Sequence, residues 1–142
     1  MKVNLEKIHD DAQLPEYSFK DDAGMDIKAY GEHILKPGER ELIGTGIKIA
    51  LPKTLAGFIY PRSGLALKKG VTVLNADGVI DPNYRGELKV LLINHGEEEL
   101  KIEHGDRIAQ LIIHKIYHIV WNETDSLRET KREAGGFGHT GT

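Results

Sequence analysis

Glycine and proline punctuate this chain so densely that helix should be scarce. Sixteen glycines and five prolines in 142 residues cut it into short segments rich in Ile, Val and Leu. Short apolar segments between turn formers favour an all-β sandwich or barrel over a helical bundle. One domain of this length buries a core without staples. The chain has no cysteine, so a disulfide framework, a thiolate metal site and a thiol nucleophile are all excluded; this agrees with a reducing cytoplasm. Net charge is −3, from 19 basic and 22 acidic residues, which lacks the broad basic footprint of a duplex-binding protein. The apolar runs fall far short of the ~18 residues that span a bilayer, and Met1-Lys2-Val3-Asn4 opens no signal peptide. A soluble cytoplasmic protein with no nucleic-acid or membrane partner is expected, acting on small ligands.

Along the chain, Met1 to Ile8 alternates with period two and predicts a half-buried strand. A polar connection follows, and alternation resumes at Ala23-Gly24-Met25-Asp26-Ile27-Lys28-Ala29. Gly24 lets the backbone pass close to a neighbour, and Asp26 would be a buried acid in need of partners. Ile34-Leu35, Glu39 to Ile43 and Gly46 to Leu51 read as scaffold strands. After Ala56 to Tyr60 comes Pro61-Arg62-Ser63-Gly64-Leu65, where a fork-shaped cation, a hydroxyl and backbone N–H groups opening a short helix could face an anion; a turn with a solvated Arg62 is the plainer alternative. Leu88 to Ile93 is too apolar for a one-sided strand and should lie in the middle of the fold. In Gly105-Asp106-Arg107-Ile108-Ala109-Gln110, Gln110 interrupts an apolar strand and needs a phosphate or a backbone group as partner. His114 and His118 would share a strand face, but no third ligand of suitable spacing is near. Ile116 to Trp121 should close the folded region with Trp121 packed. From Asn122 apolar residues almost vanish, so residues 122–142 read as a flexible tail after a domain of residues 1–121.

Chemistry concentrates between the strands Val71 to Leu74 and Leu88 to Ile93, in the loop Asn75 to Glu87. Asn75 offers an amide donor and acceptor side by side, as the edge of a pyrimidine requires. Pro82 stiffens the backbone under the Asp81 carboxylate, which suits a general base, and Tyr84 supplies a flat face. Asn, Asp and Gly are equally the residues of ordinary turns, and Tyr is an ordinary cross-strand packer.

Gly78-Val79-Ile80-Asp81-Pro82-Asn83-Tyr84-Arg85-Gly86-Glu87 resembles the third of five motifs of the trimeric deoxyuridine triphosphate nucleotidohydrolases. The other four occur in the family's order: Ala23 to Ala29, Pro61 to Leu65, Gly105 to Gln110, and Arg132-Glu133-Ala134-Gly135-Gly136-Phe137-Gly138-His139-Thr140-Gly141. The last departs twice, with Glu133 where glycine is usual and His139 where serine is. It has no Gly-Lys-Ser/Thr and is no Walker P-loop.

The resemblance implies a jelly-roll-like β-barrel in a homotrimer whose three active sites are shared between chains. It implies hydrolysis of dUTP to dUMP and pyrophosphate, limiting uracil in DNA and supplying dUMP for thymidylate. Asp81 would be the base, and Asn75 with backbone of Gly78, Val79 and Ile80 would read uracil. Tyr84 would lie against the deoxyribose, and Arg62, Ser63 and Gln110 would hold phosphates while Gly64 permits close approach. Arg132, Phe137, Gly138, His139 and Thr140 would close over the nucleotide, with Asp26 in support. Mg2+ would be held through substrate phosphates and water. The related dCTP deaminases share the fold and an Ile-Asp-Pro loop, but their catalytic glutamate would fall at or near Leu91, which cannot move a proton. A non-catalytic nucleotide-binding regulatory trimer is the third reading, and intact Asp81 argues against it.

Overall fold

Strands of three to nine residues carry the structure, a computed structural model that describes residues 2–136. They are β1 (Asn4–Lys7), β2 (Met25–Lys28), β3 (His33–Leu35), β4 (Arg40–Gly44), β5 (Ile47–Ala50), β6 (Leu55–Tyr60), β7 (Val71–Val73), β8 (Gly78–Ile80), β9 (Lys89–Asn94), β10 (Leu100–Ile102) and β11 (Arg107–Lys115). One helix, α1 (Ser63–Lys69), interrupts them. It stops at Gly70, whose φ of 67° suits a residue without Cβ. A Cβ there would also lie 2.7 Å from the Gly96 amide nitrogen.

All strand pairs are antiparallel. A four-stranded sheet runs β2-β11-β6-β8 and a three-stranded sheet β4-β9-β7, with the ribbons β1-β5 and β10-β3 beside them. Inward-facing Ile27, Ile59, Ala109 and Leu111 of the first sheet meet Ile43, Val71, Val73, Val90 and Leu92 of the second in one core, which Leu35, Ile47 and Ile102 complete. This is the layered, jelly-roll-like all-β arrangement that the turn density called for. Two buried polar side chains are satisfied within it. Thr45 Oγ1 donates to Leu88 O at 2.6 Å, and Asn94 Nδ2 donates to Leu35 O and Glu98 O at 2.9 and 2.8 Å.

A third polar tie holds the strand edges. His33 Nδ1 meets Glu41 Oε1 at 2.6 Å and Nε2 meets Tyr30 O at 3.0 Å. Both partners are acceptors, so both ring nitrogens donate and the ring is imidazolium. Burial opposes that charge, but the hydrogen bonds to Glu41 and Tyr30 O, with the charge of Glu41, outweigh it and raise the His33 pKa.

Four expectations need correction. β1 is exposed at every residue, not half-buried, because among the described residues it pairs with β5 alone, in a two-stranded ribbon outside the two main sheets. β9 alternates strictly, with Val90, Leu92 and Asn94 inward and Leu91 and Ile93 half-buried on the outer face. It is central in its sheet, yet one-sided within the single chain. Trp121 is not packed: after Lys115 the chain leaves the sheet, and Tyr117, Ile119, Val120 and Trp121 stand exposed. The segment between β7 and β9 is also more than a turn. Those two strands pair with each other, while β8 crosses to the other sheet and pairs with β6.

Candidate active site

The first half of the site follows from strand register. Gln110 of β11 stands opposite Asp26 of β2 on one side and Tyr60 of β6 on the other. Directly opposed residues share a face, so Asp26, Gln110 and Tyr60 form one polar row across three strands. Gln110 is half-buried on the outer face rather than inside the core, so its amide reaches whatever lies over the sheet.

Asp26 is buried, and three donors hold its carboxylate. Ser18 Oγ approaches Oδ2 at 3.0 Å, Arg62 Nε approaches Oδ1 at 3.1 Å and Arg107 Nη1 approaches Oδ2 at 3.3 Å. Arg62 Nη1 also donates to Arg107 O at 3.1 Å. The guanidinium of Arg62 is therefore pinned along one edge, while its remaining nitrogen, Nη2, makes no hydrogen bond among the described residues. A pinned planar cation is pre-organised for an anion. Its cavity, of about 250 Å³, is lined by Leu65, Leu100, Ile102, Arg107 and Ile108. Ser63 and Gly64, in the first turn of α1, are exposed beside it, and a Cβ on Gly64 would meet nothing within 4 Å.

The second half is the loop after β8. Tyr84 N donates to Asp81 O at 3.1 Å, closing a turn around Pro82. Arg85 Nη1 clamps it by donating to Pro82 O and Tyr84 O, each at 2.7 Å. Tyr84 donates its hydroxyl to Glu87 O at 3.0 Å and lies so close to Gly86 that a Cβ there would collide with the phenol oxygen. Glu87 in turn accepts from Gly46 N at 2.9 Å. Asp81 and Tyr84 thus stand exposed on a braced loop, over a cavity of about 260 Å³ that Leu42, Val79, Ile80 and Lys89 also line. At the loop's other end a Cβ on Gly78 would lie 3.3 Å from Asn75 Nδ2 and 3.4 Å from Ile59 Cβ, so the glycine lets the Asn75 amide fold against β8.

A carboxylate on a stiff loop and a pinned arginine at the end of another strand of the same sheet are the parts that the five motifs call for, and the comparisons with known proteins agree. The dUTPase family model matches residues 10–141. The chain belongs to the dUTPase family. It is 49% identical over 139 residues to the deoxyuridine 5'-triphosphate nucleotidohydrolase of Clostridioides difficile, covering 98% of this chain and 97% of that one. To the enzyme of the same name from Rickettsia felis it is 52% identical over 143 residues, covering 99% and 97%. Among solved structures, a mutant dUTPase of Staphylococcus bacteriophage 80alpha with dUpNHpp superposes with a TM-score of 0.92 at 25% identity, covering 99% of both chains. A mutant dUTPase of phage phi11 of S. aureus, described as coordinating a structural Mg(II) ion, gives 0.84 at 22% identity over 91% of this chain and all of that one.

Other predicted residues of this dUTPase-family chain are spread more widely. Arg132 is exposed and donates its Nε to Gly135 O at 2.8 Å. Phe137, Gly138, His139 and Thr140 lie outside the described residues. His114 packs edge-on against Phe58, ring centroids 5.0 Å apart. Among the described residues no three His, Cys, Asp or Glu side chains converge on a possible ion.

Several residues that shape the site escape sequence reasoning. Arg107 belongs to the Gly105 to Gln110 motif, yet only the β2–β11 pairing shows that it shares Asp26 with Arg62. Ser18 lies in a segment read simply as a connection. Leu42 enters the Asp81 cavity from β4, and Arg85 braces the loop.

Proposed function

We infer that this chain hydrolyses dUTP to dUMP and pyrophosphate. The reading rests on one observation above all: a family-wide match that carries Asp81 on a braced loop, exposed beside Tyr84 over an open cavity. Asp81 takes a proton from a water, which attacks the α-phosphorus in line; the bond from that phosphorus to the bridging oxygen breaks, and pyrophosphate leaves. Asn75, with the backbone of Gly78, Val79 and Ile80, reads the uracil edge, and Tyr84 covers the deoxyribose. Arg62, Ser63 and Gln110 hold the phosphates, the free edge of Arg62 meeting charge that develops on the leaving group. Arg132, Phe137, Gly138, His139 and Thr140 belong to the closing tail, residues 122–142. Magnesium would be held through the substrate's phosphates and water rather than by side chains of this chain, and would supply charge neutralisation at the triphosphate.

The site is completed by other copies of the chain. Three strand steps of ~4.8 Å separate β2 from β8, and Asp81 lies about four extended residues, ~13 Å, along the strand direction from the level of Asp26. Asp81 and the Arg62–Asp26 pair of one chain are therefore ~19 Å apart, farther than a triphosphate bridges. Their two cavities share no residue, and the 260 Å³ beside Asp81 is below the ~300 Å³ of a small-molecule pocket. A trimer, in which one copy brings Asp26, Arg62 and Gln110, a second the Asn75–Tyr84 loop and a third the tail, removes that gap.

The test is pyrophosphate release from dUTP, dCTP, dTTP and UTP in parallel, with ammonia measured alongside. Rapid release from dUTP alone is expected. Ammonia from dCTP would instead support a deaminase, although Leu91, where that chemistry would need a proton carrier, is a hydrocarbon on the outer face of β9.

A further inference from the structure

Residues 81–88 join β8 to β9 outside any strand ladder, and two sets of hydrogen bonds hold them. The first set is internal. Tyr84 N donates to Asp81 O, and the Arg85 guanidinium donates to Pro82 O and Tyr84 O; these make the loop stiff, but bonds within a loop do not fix where it stands on the barrel. The second set does, and it converges on the turn between β4 and β5. Leu88 N donates to Ile47 O at 2.8 Å, Thr45 Oγ1 donates to Leu88 O at 2.6 Å, and Gly46 N donates to Glu87 Oε1 at 2.9 Å. The carboxylate lies so close over Gly44 that a Cβ there would stand 2.6 Å from Oε1, and Oε2 faces Lys89 Nζ at 3.4 Å. The turn it grips is itself fixed: Gly46 has a φ of 72°, and a Cβ on it would stand 2.8 Å from Ala12 Cβ and 3.1 Å from the Tyr30 ring.

Tyr84 meets this anchor through its hydroxyl. The residue is 43% exposed, and its phenol donates to Glu87 O at 3.0 Å. The phenol proton is thereby engaged within the protein, so the ring is what Tyr84 presents to a ligand. Gly86 leaves no space for a Cβ beside the phenol, so the ring lies against the backbone that leads into Glu87 and takes its place from it. We propose that Glu87 is a positioning residue for sugar selection: its carboxylate, bound to Gly46 N, fixes the Glu87 carbonyl that holds the Tyr84 hydroxyl, and so sets how closely the Tyr84 ring approaches the 2′ carbon of the nucleotide. The inference deepens the reading of Tyr84 as the cover of the deoxyribose and rests on it. Glu87 reaches the wall of the Asp81 cavity, but Gly46 and Lys89 engage its carboxylate, and it acts through Tyr84. A wall rejects an added group only as far as it resists displacement, and a group of that size is worth roughly 10–200-fold in discrimination. A ring freed from its anchor loses much of that resistance.

Glu87→Ala and Glu87→Met both remove the acceptor, the second keeping the bulk over Gly44 so that a folding failure of the first does not end the test; Glu87→Gln keeps an acceptor for Gly46 N. For each, kcat/KM is measured with dUTP and with UTP. Loss of stability alone lowers both rates together and leaves their ratio where it was. The expected result is a fall in the dUTP-over-UTP preference of about tenfold in the Ala and Met variants, and a preference within about threefold of the parent's in the Gln variant. Added to Tyr84→Ala, Glu87→Ala should change the preference no further, because the ring it positions is gone. An unchanged preference in the Ala and Met variants, a Gln variant as unselective as Met, or a further fall in the Tyr84→Ala background would each overturn the proposal. Tyr84→Ala by itself separates the two levels. If it leaves the preference unchanged, sugar reading at Tyr84 itself is wrong; if it lowers the preference and the Glu87 variants do not, only the role of Glu87 is.

Discussion

Replacing Asp26 with alanine should disable the phosphate side of the site without unfolding the protein. Its carboxylate is only 7% exposed and faces two arginines that are 25% and 52% exposed. Breaking a fully buried ion pair costs ~3–5 kcal/mol because a charge is stranded away from water. Here both Arg62 and Arg107 turn partly to solvent, and Ser18 is already exposed, so about half of that, ~2 kcal/mol, is the expected loss. For a chain of this size that lowers Tm by roughly 4–8 °C. The larger effect is on geometry. Arg62 loses the contact that fixes its Nε edge and samples rotamers that point its free edge away from the phosphates; misplacement by about an ångström costs on the order of 10² in rate. Initial rates of pyrophosphate release against dUTP concentration, with calorimetric melting of the same preparation, separate the two effects. A variant that melts lower by the expected amount yet keeps kcat/KM within about threefold of the parent would refute the claim that Asp26 positions Arg62 for substrate.

Asp81→Asn should leave nucleotide binding nearly intact while lowering turnover by roughly 10²–10⁴; equilibrium binding of a non-hydrolysable analogue beside steady-state rates checks this, and near-normal turnover removes Asp81 from the mechanism. Tyr84→Ala should raise the use of UTP relative to dUTP, since the ring that closes the space beside the 2′ carbon is gone, and an unchanged kcat/KM ratio moves sugar selection elsewhere. Deleting Arg132 to Thr142 should cut kcat/KM severely while sedimentation equilibrium still reports a trimer; an active monomer at any stage contradicts shared sites. His33, whose pKa is raised in the folded chain, contributes stability that is fully present below its ordinary value of about 6.5 and is lost as pH rises through the raised folded value. The Tm deficit of His33→Gln relative to the parent should thus be larger at pH 6 than at pH 8.5, and equal deficits would show that His33 is not charged in the fold.

Local chemistry was legible in the sequence because it is local. Turn formers limit element length, so the density of glycine and proline determined an all-β fold. Period-two alternation assigned a face to residues such as Ile27, and a carboxylate ahead of proline marked Asp81. A buried acid needs partners wherever it lies, so Asp26 announced a polar cluster without naming its members. Which strand lies beside which is a long-range property, and only the tertiary structure decided it. Register across β2, β11 and β6 joined Asp26, Gln110 and Tyr60, residues up to 84 positions apart, in one row. The same distinction explains β9, β1 and the segment after Lys115. Their apolar residues promised burial, and hydrophobicity does say that water is to be excluded; it does not say whether the covering atoms belong to the same chain. Leu5, Leu91 and Trp121 remain exposed or half-buried, because a single barrel of this size has faces enough for one core and these residues lie outside it.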